Sequence, residues 1–166
     1  MRKFLFSILF TSFLLIEKKS FSQVAFKLTQ AEDISVNLKF NQRIFSKSDD
    51  VTFTISIHNT SKYIQRILFD KLDKKYPWGV DIILRRSNGE KIKLTTWAFL
   101  SSTVYSENQL TDFYTQLLPK GFTSHTYYLN QIVRVETEDL KLPKGKYSIQ
   151  ISFDNILSNI EDFEIK

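Results

Sequence analysis

Two histidines, His58 and His125, and no cysteine are the whole inventory of imidazole and thiol chemistry in the 166 residues. A thiol nucleophile, a thiolate metal site and a disulfide are therefore excluded by composition. A Ser–His–Asp triad needs one of the histidines brought together with a serine and an acid, and no nucleophile-elbow glycine motif occurs. His58 closes an alternating segment and His125 sits among hydroxyl residues, so both are read as surface or edge-strand side chains. Oxygen ligands for calcium are offered by Asp49-Asp50 and by Glu136-Thr137-Glu138-Asp139. Neither has the spaced acids and glycine of a dedicated loop, and solvated turns are the expectation. Asn59-Thr60-Ser61 has the form of a glycosylation sequon and is read as a turn. The predicted site has no catalytic residue, cofactor or metal.

Aromatic side chains remain as the groups able to recognise something. Residues 95–117 lack glycine and proline and carry Trp97, Phe99, Tyr105, Phe113 and Tyr114. Exposed rings of this kind stack on sugars or anchor a protein partner. Trp97, Tyr105, Phe113 and Tyr114 are the predicted ligand- or partner-binding residues. Trp78, in Tyr76-Pro77-Trp78, is read as a core tryptophan.

The elements that must position these groups follow from hydrophobic spacing. Ile34–Phe40, Val51–Ile57 and Tyr147–Phe153 each alternate apolar and polar residues without error. Successive side chains on a strand face opposite ways, so each segment offers four large groups to one interior. A helix would scatter the same groups around its cylinder. Further strands are predicted at Ile64–Phe69, Val80–Arg86, Glu90–Leu94, Phe122–Leu129 and Ile160–Ile165, about eight in all. Val80–Arg86 and Glu90–Leu94 flank Ser87-Asn88-Gly89, and Asn-Gly predicts a hairpin there because both residues tolerate positive φ. Leu-Pro-Lys-Gly at 118–121 and again at 142–145 predicts two type I turns. The fold class is all-β, an antiparallel β-sandwich, with a closed barrel as the alternative.

Residues 1–22 stand apart. Arg2 and Lys3 precede a 13-residue apolar run, Phe4–Ile16, and small residues end at Ser22. That is the layout of a signal peptide cut before Gln23, and the run is too short to span a bilayer comfortably. The expected domains are thus 1–22, a signal peptide, and 23–166, a sandwich. The chain's net charge of +5 falls to about +2 without the first segment, too small a surplus for nucleic-acid binding. The destination is periplasmic or extracellular, with no stable membrane span after cleavage.

Leu142-Pro143-Lys144-Gly145-Lys146-Tyr147 resembles the tyrosine corner of immunoglobulin-like sandwiches, in which a tyrosine entering a late strand bonds back to the preceding turn. The wider layout is similar to immunoglobulin-like domains of the BsuPI proteinase-inhibitor type. It comprises a strand at Val51–Ile57 ending in Asn59, a hairpin at Asn88-Gly89, an aromatic excursion, Pro-x-Gly turns and a final Gly-x-Tyr strand. The resemblance implies an immunoglobulin-like fold. The export segment departs from that family's intracellular setting, and no inhibitory loop can be matched residue by residue. The leading expectation is a non-catalytic module that binds another envelope or extracellular protein. Proteinase inhibition and carbohydrate binding are the alternatives.

Overall fold

The computed structural model describes residues 33–69, 77–96, 113–137 and 139–166. The predicted signal peptide lies outside them. Strand β1 (Ile34–Phe40) pairs antiparallel with β3 (Thr52–Asn59), from Ile34 opposite Asn59 to Phe40 opposite Phe53. On its other side β3 pairs antiparallel with β8 (Phe122–Tyr128), from Thr52 opposite Tyr128 to His58 opposite Phe122. These three strands form the first sheet, in the order β1-β3-β8.

The second sheet is built around the nine-residue β10 (Gly145–Phe153). Strand β5 (Val80–Arg86) runs along one side of it. The other side is shared by β12 (Glu161–Ile165) and the two-residue β11 (Ile156–Leu157). The short β2 (Ile44–Phe45) joins β12 in parallel. Two small ladders complete the described strands. In one, β4 (Gln65–Ile67) pairs with β7 (Thr115–Leu117); in the other, β6 (Leu94–Thr96) pairs with β9 (Val133–Val135). A single helical turn, α1 (Leu129–Ile132), leads from β8 into β9. The chain is therefore all-β with antiparallel sheets, and the pairings among the described residues fall into four separate sheets.

The three alternations do what their spacing requires. Val36, Leu38 and Phe40 from β1, Phe53, Ile55 and Ile57 from β3, and Tyr147, Ile149, Ile151 and Phe153 from β10 all enter one buried cluster. Full burial of each such side chain contributes about 1.5–3 kcal/mol before entropy is subtracted. Aromatic rings join the sheets. Phe40 of the first sheet lies 5.2 Å from Phe163 of the second, and Tyr147 stacks on Phe163 at 5.3 Å. The end of β1 is thereby set beside the middle of β12. Asn59, Phe122 and the start of β1 fall at the opposite pole. The outer edge of β1 is sealed by a side chain from the second sheet's connection. Asn159 Oδ1 accepts the Leu38 N–H at 2.8 Å, and its Nδ2 donates to the Leu38 carbonyl at 2.9 Å. One amide thus substitutes for a neighbouring strand where unpaired backbone would invite aggregation.

The turns fall where the sequence places them. At Ser87-Asn88-Gly89 only Gly89 has positive φ, at 84°. The Gly89 N–H returns to the Arg86 carbonyl and the Arg86 N–H to that of Glu90, both at 2.9 Å. This is a hairpin on a three-residue loop, a type I turn closed by a left-handed glycine. Its second arm contributes only a bridge from Lys91 to Arg85 before the chain leaves to pair β6 with β9. At Leu118–Gly121 the Gly121 N–H bonds to the Leu118 carbonyl at 2.8 Å, while Lys120 has φ 62°. Positive φ at the third position makes the turn type II, not type I. At the other Leu-Pro-Lys-Gly copy the Tyr147 hydroxyl donates to the Pro143 carbonyl at 2.6 Å.

The β10–β11 hairpin, which the spacing of apolar residues did not reveal, turns on Asp154 and Asn155, both with positive φ (47° and 68°). That is a two-residue type I′ turn. Partial desolvation raises the Asp154 carboxyl above its ordinary pKa, although the residue as a whole is exposed. Its folded pKa lies above its unfolded one, so folding takes up a proton in that window, and stability is lost as pH rises through the folded value. Asp154→Asn keeps the turn, since asparagine also tolerates left-handed backbone. As pH rises from acid to neutral, the unfolding free energy of the native chain should fall relative to that of the variant. Parallel curves for the two proteins would contradict this.

Candidate functional site

The pole opposite Phe163 is organised by Asn59, the last residue of β3, whose side chain is 1% exposed. Its Oδ1 accepts from Ser61 N at 2.9 Å and from Ser61 Oγ at 2.8 Å. Its Nδ2 donates to the carbonyls of Tyr63 at 2.7 Å and of Leu117 and Leu118 at 3.0 Å. The Asn59 N–H adds a bond to the Gly121 carbonyl at 2.9 Å. An Asx turn has thus been extended into a clamp that locks residues 60–64 against the type II turn at 118–121. With Nδ2 buried and shared among three carbonyls, Asn59 in the folded protein does not present a glycan-acceptor amide.

The clamp holds up an unusual surface. Tyr63, Ile64, Leu118 and Phe122, carried on those two loops and the residue that follows, are 55–63% exposed. Their backbones are fixed together. Tyr63 and Leu118 share Asn59, Ile64 adjoins the Gln65–Leu117 pair, and Phe122 lies opposite His58 with the two rings stacked at 5.2 Å. Single exposed apolar residues are ordinary, but several large ones on rigid adjoining turns mark a contact surface. The two loops carry only basic charge, although Asp33 adjoins them, its carbonyl accepting the Thr60 N–H at 2.8 Å. No aspartate or glutamate occurs in 57–66 or 115–124, whereas Lys62, Arg66 and Lys120 do. Lys62 Nζ lies 5.2 Å from the Tyr63 ring centre, and Lys120 Nζ donates to the Thr60 carbonyl at 2.8 Å. The outer face of the first sheet runs away from this pole as a hydroxyl ladder, with Ser56 bonded to Ser124 at 3.2 Å and Thr54 to Thr126 at 2.8 Å.

The sequence-predicted site residues fare differently. Trp97 and Tyr105 lie outside the described residues. Phe113 and Tyr114 are half-buried and lead into β7, whose Thr115 pairs with Ile67. They flank the β4–β7 ladder and are not among the exposed side chains of the pole. Trp78, expected in the core, is 41% exposed, because its N–H bonds to the Phe69 carbonyl at 2.7 Å in a turn that leads into β5. The core places expected for it are filled instead by Phe69, Tyr127 and Phe153, whose rings pack edge to face. His58 is half-buried on the solvent side of the central strand. His125 is neither a surface side chain nor wholly buried. It is on the edge strand β8, as expected, but faces inward with its ring 6.0 Å from that of Phe69. The parity of β8 sends Thr123, His125 and Tyr127 to one side, and Tyr127 is the one that fits the core. Asp49, a candidate calcium ligand, is paired with Lys141 at 3.0 Å, and that contact holds the Lys141 ammonium above its ordinary pKa. Among the described residues no three or more His, Cys, Asp or Glu side chains are placed to share a metal ion.

Sequence reasoning passed over Tyr63, Ile64, Leu118 and Phe122. A signal was present: an Asn-x-Ser turn and a Pro-x-Gly turn, each with large apolar residues beside it where loops are normally polar. On a second face, a groove of about 560 Å³ is lined by Arg43, Arg86 and Lys146 but also by Asp162 and Glu164, so its charges offset one another. The pole is the more distinctive surface. Among the described residues no helix is long and apolar enough to cross a membrane. No protein-family model and no curated protein sequence matches the chain.

Proposed function

We propose that this protein is an exported, non-catalytic interaction module, built as an immunoglobulin-like sandwich, that binds a component of the cell envelope through the loops of the Asn59 pole. The observation that carries the reading is the set of four exposed apolar side chains on loops clamped by one buried amide. Pre-ordered loops lose little conformational freedom on binding, so their apolar surface is available to a partner at low cost. Export is supported by the charge and spacing of residues 1–22. The immunoglobulin-like reading is supported by the strand order β1-β3-β8, by β5 and β12 flanking β10, by the parallel β2–β12 pair, and by the Tyr147 hydroxyl bonded back to Pro143. Proteinase inhibition of the BsuPI kind rests on that same layout and concerns the fold more than the pole. Loss of activity in a panel of serine and cysteine proteases is its test.

The test of the main reading is site-specific photo-crosslinking in the producing cells. A photoreactive residue at position 118 or 122 should give a discrete adduct with an envelope component, lipid or protein. The same residue at position 140, exposed near the start of β10, should not. Absence of adducts at 118 and 122, or the same adducts from 140, would overturn the reading.

A further inference from the structure

We propose that the envelope component met by this pole is the anionic lipid surface of a membrane, an inference that rests on the interaction-module reading above. Two features select lipid over a protein partner. The first is shape: Tyr63, Ile64 and Leu118 are exposed on and beside two ordered turns, and Phe122 is exposed where β8 begins, its ring stacked on His58. The Leu118–Gly121 turn is closed by its own hydrogen bond, and residues 61–63 are strapped to Asn59. A fluid bilayer accommodates rigid protruding side chains without needing a matched concavity, whereas a protein partner must supply one. The second is the placement of charge. Lys62 and Lys120 stand beside the exposed apolar residues, and neither loop carries a carboxylate; the acid adjoining them is Asp33, on the segment entering β1, so the loops themselves are net basic. Apolar and aromatic groups entering the acyl boundary, with ammonium groups left at the level of the phosphates, is the arrangement by which peripheral segments hold anionic leaflets. Lysine stems suit it, since they lie along apolar surface while their heads stay wet. Tyrosine suits it as well, with an apolar ring and a polar tip.

The experiment is vesicle co-sedimentation of the full chain with phosphatidylcholine vesicles, with and without phosphatidylglycerol. Residues 4–16 are themselves apolar, so every comparison is between the native sequence and variants prepared in the same form. Partition should be about tenfold stronger with the anionic vesicles and should weaken as salt is added. Leu118→Ser combined with Phe122→Ser should reduce partition to both vesicle types by about tenfold. Lys62→Glu combined with Lys120→Glu should abolish the preference for phosphatidylglycerol. The same charge change far from the pole, Lys91→Glu with Lys144→Glu, should leave the preference in place. Thermal unfolding verifies that each variant is folded, and all of these positions are exposed. Equal partition of the native chain and both pole variants would overturn the proposal, as would an equal loss from the distant pair. Discrete protein adducts at 118 and 122 without vesicle partition would sink the lipid assignment and leave the interaction-module reading standing. Neither adducts nor partition would sink both.

Discussion

Asn59→Leu is expected to lower the unfolding free energy by about 3 kcal/mol, because it removes several hydrogen bonds to backbone groups at once, one of them buried. Leucine has nearly the shape of asparagine but neither donates nor accepts. The carbonyls of Tyr63, Leu117 and Leu118 and the N–H of Ser61 each lose a hydrogen bond together, although Leu118 keeps the Gly121 N–H and Tyr63 the Ser61 hydroxyl. An orphaned buried polar group costs roughly 1–3 kcal/mol, and the Leu117 carbonyl bond is fully buried. The other groups lie closer to solvent and recover part of their loss by binding water. For a domain of this size the melting temperature should fall by roughly 10 °C. Amide exchange should quicken first at 61–63 and 118–121, because the clamp is local. Asn59→Asp separates donor from acceptor. It keeps the Ser61 bonds, loses all three donations and sets a carboxylate against three carbonyls. That variant should be at least as unstable near neutrality and should regain stability in acid, since its folded pKa lies above its unfolded one. A melting temperature for Asn59→Leu within a degree or two of native would show that the clamp contributes little.

Phe163→Ala is expected to cost about 3–5 kcal/mol, the range for deleting a buried phenylalanine. Phe163 is 3% exposed and stands where the two sheets meet. Its ring lies 5.2 Å from Phe40, 5.3 Å from Tyr147 and 6.1 Å from Phe45. Truncation removes the transfer free energy and leaves a cavity bounded by three rings that cannot all collapse into it. Such a loss is a large fraction of the 5–15 kcal/mol by which single domains are usually stable. Phe163→Leu, which retains most of the volume, should cost less than about 1.5 kcal/mol. Urea unfolding of the three proteins is the measurement. The midpoints should order native, Leu, Ala with a common slope, since the surface exposed on unfolding hardly changes. Alanine within 1 kcal/mol of native, a bound set by the smallest core deletions, would mean the sheets do not depend on this contact.

The legible parts of the fold were those with repeated signal. Ile34–Phe40 coincides with β1, and Val80–Arg86 with β5. β3 and β10 lie within a residue or two of their alternating segments. Strands of two or three residues, such as β2, β7, β9 and β11, contain no full period and left no pattern to read. Turn location was legible from Pro, Gly and Asn, but turn type was not. At Lys120 and Asn88 the backbone conformation follows from how the flanking strands leave the turn, and neither residue type dictates it.

The site was less legible for a related reason. Ring content drew attention to Trp97, Tyr105, Phe113 and Tyr114, yet ring content does not determine exposure. Phe122 and Tyr127 are both aromatic residues of β8, and one is exposed while the other is buried. Local spacing separates them onto opposite faces without saying which face is inside. The answer comes from Phe69 and Phe153, which arrive from elsewhere in the chain to pack on Tyr127 and not on Phe122.

The amino-acid order by itself determined that the domain is built from strands, where the longest of them lie, and which side chains their alternation groups together. Those properties depend on neighbours two residues apart, so they are written locally. The tertiary structure decided that Asn59 would clamp two loops separated by more than fifty residues, that Trp78 would face solvent, and that four apolar side chains would share one pole. Each of those depends on hydrogen bonds and ring contacts between distant segments, and such contacts exist only once the sheets have met.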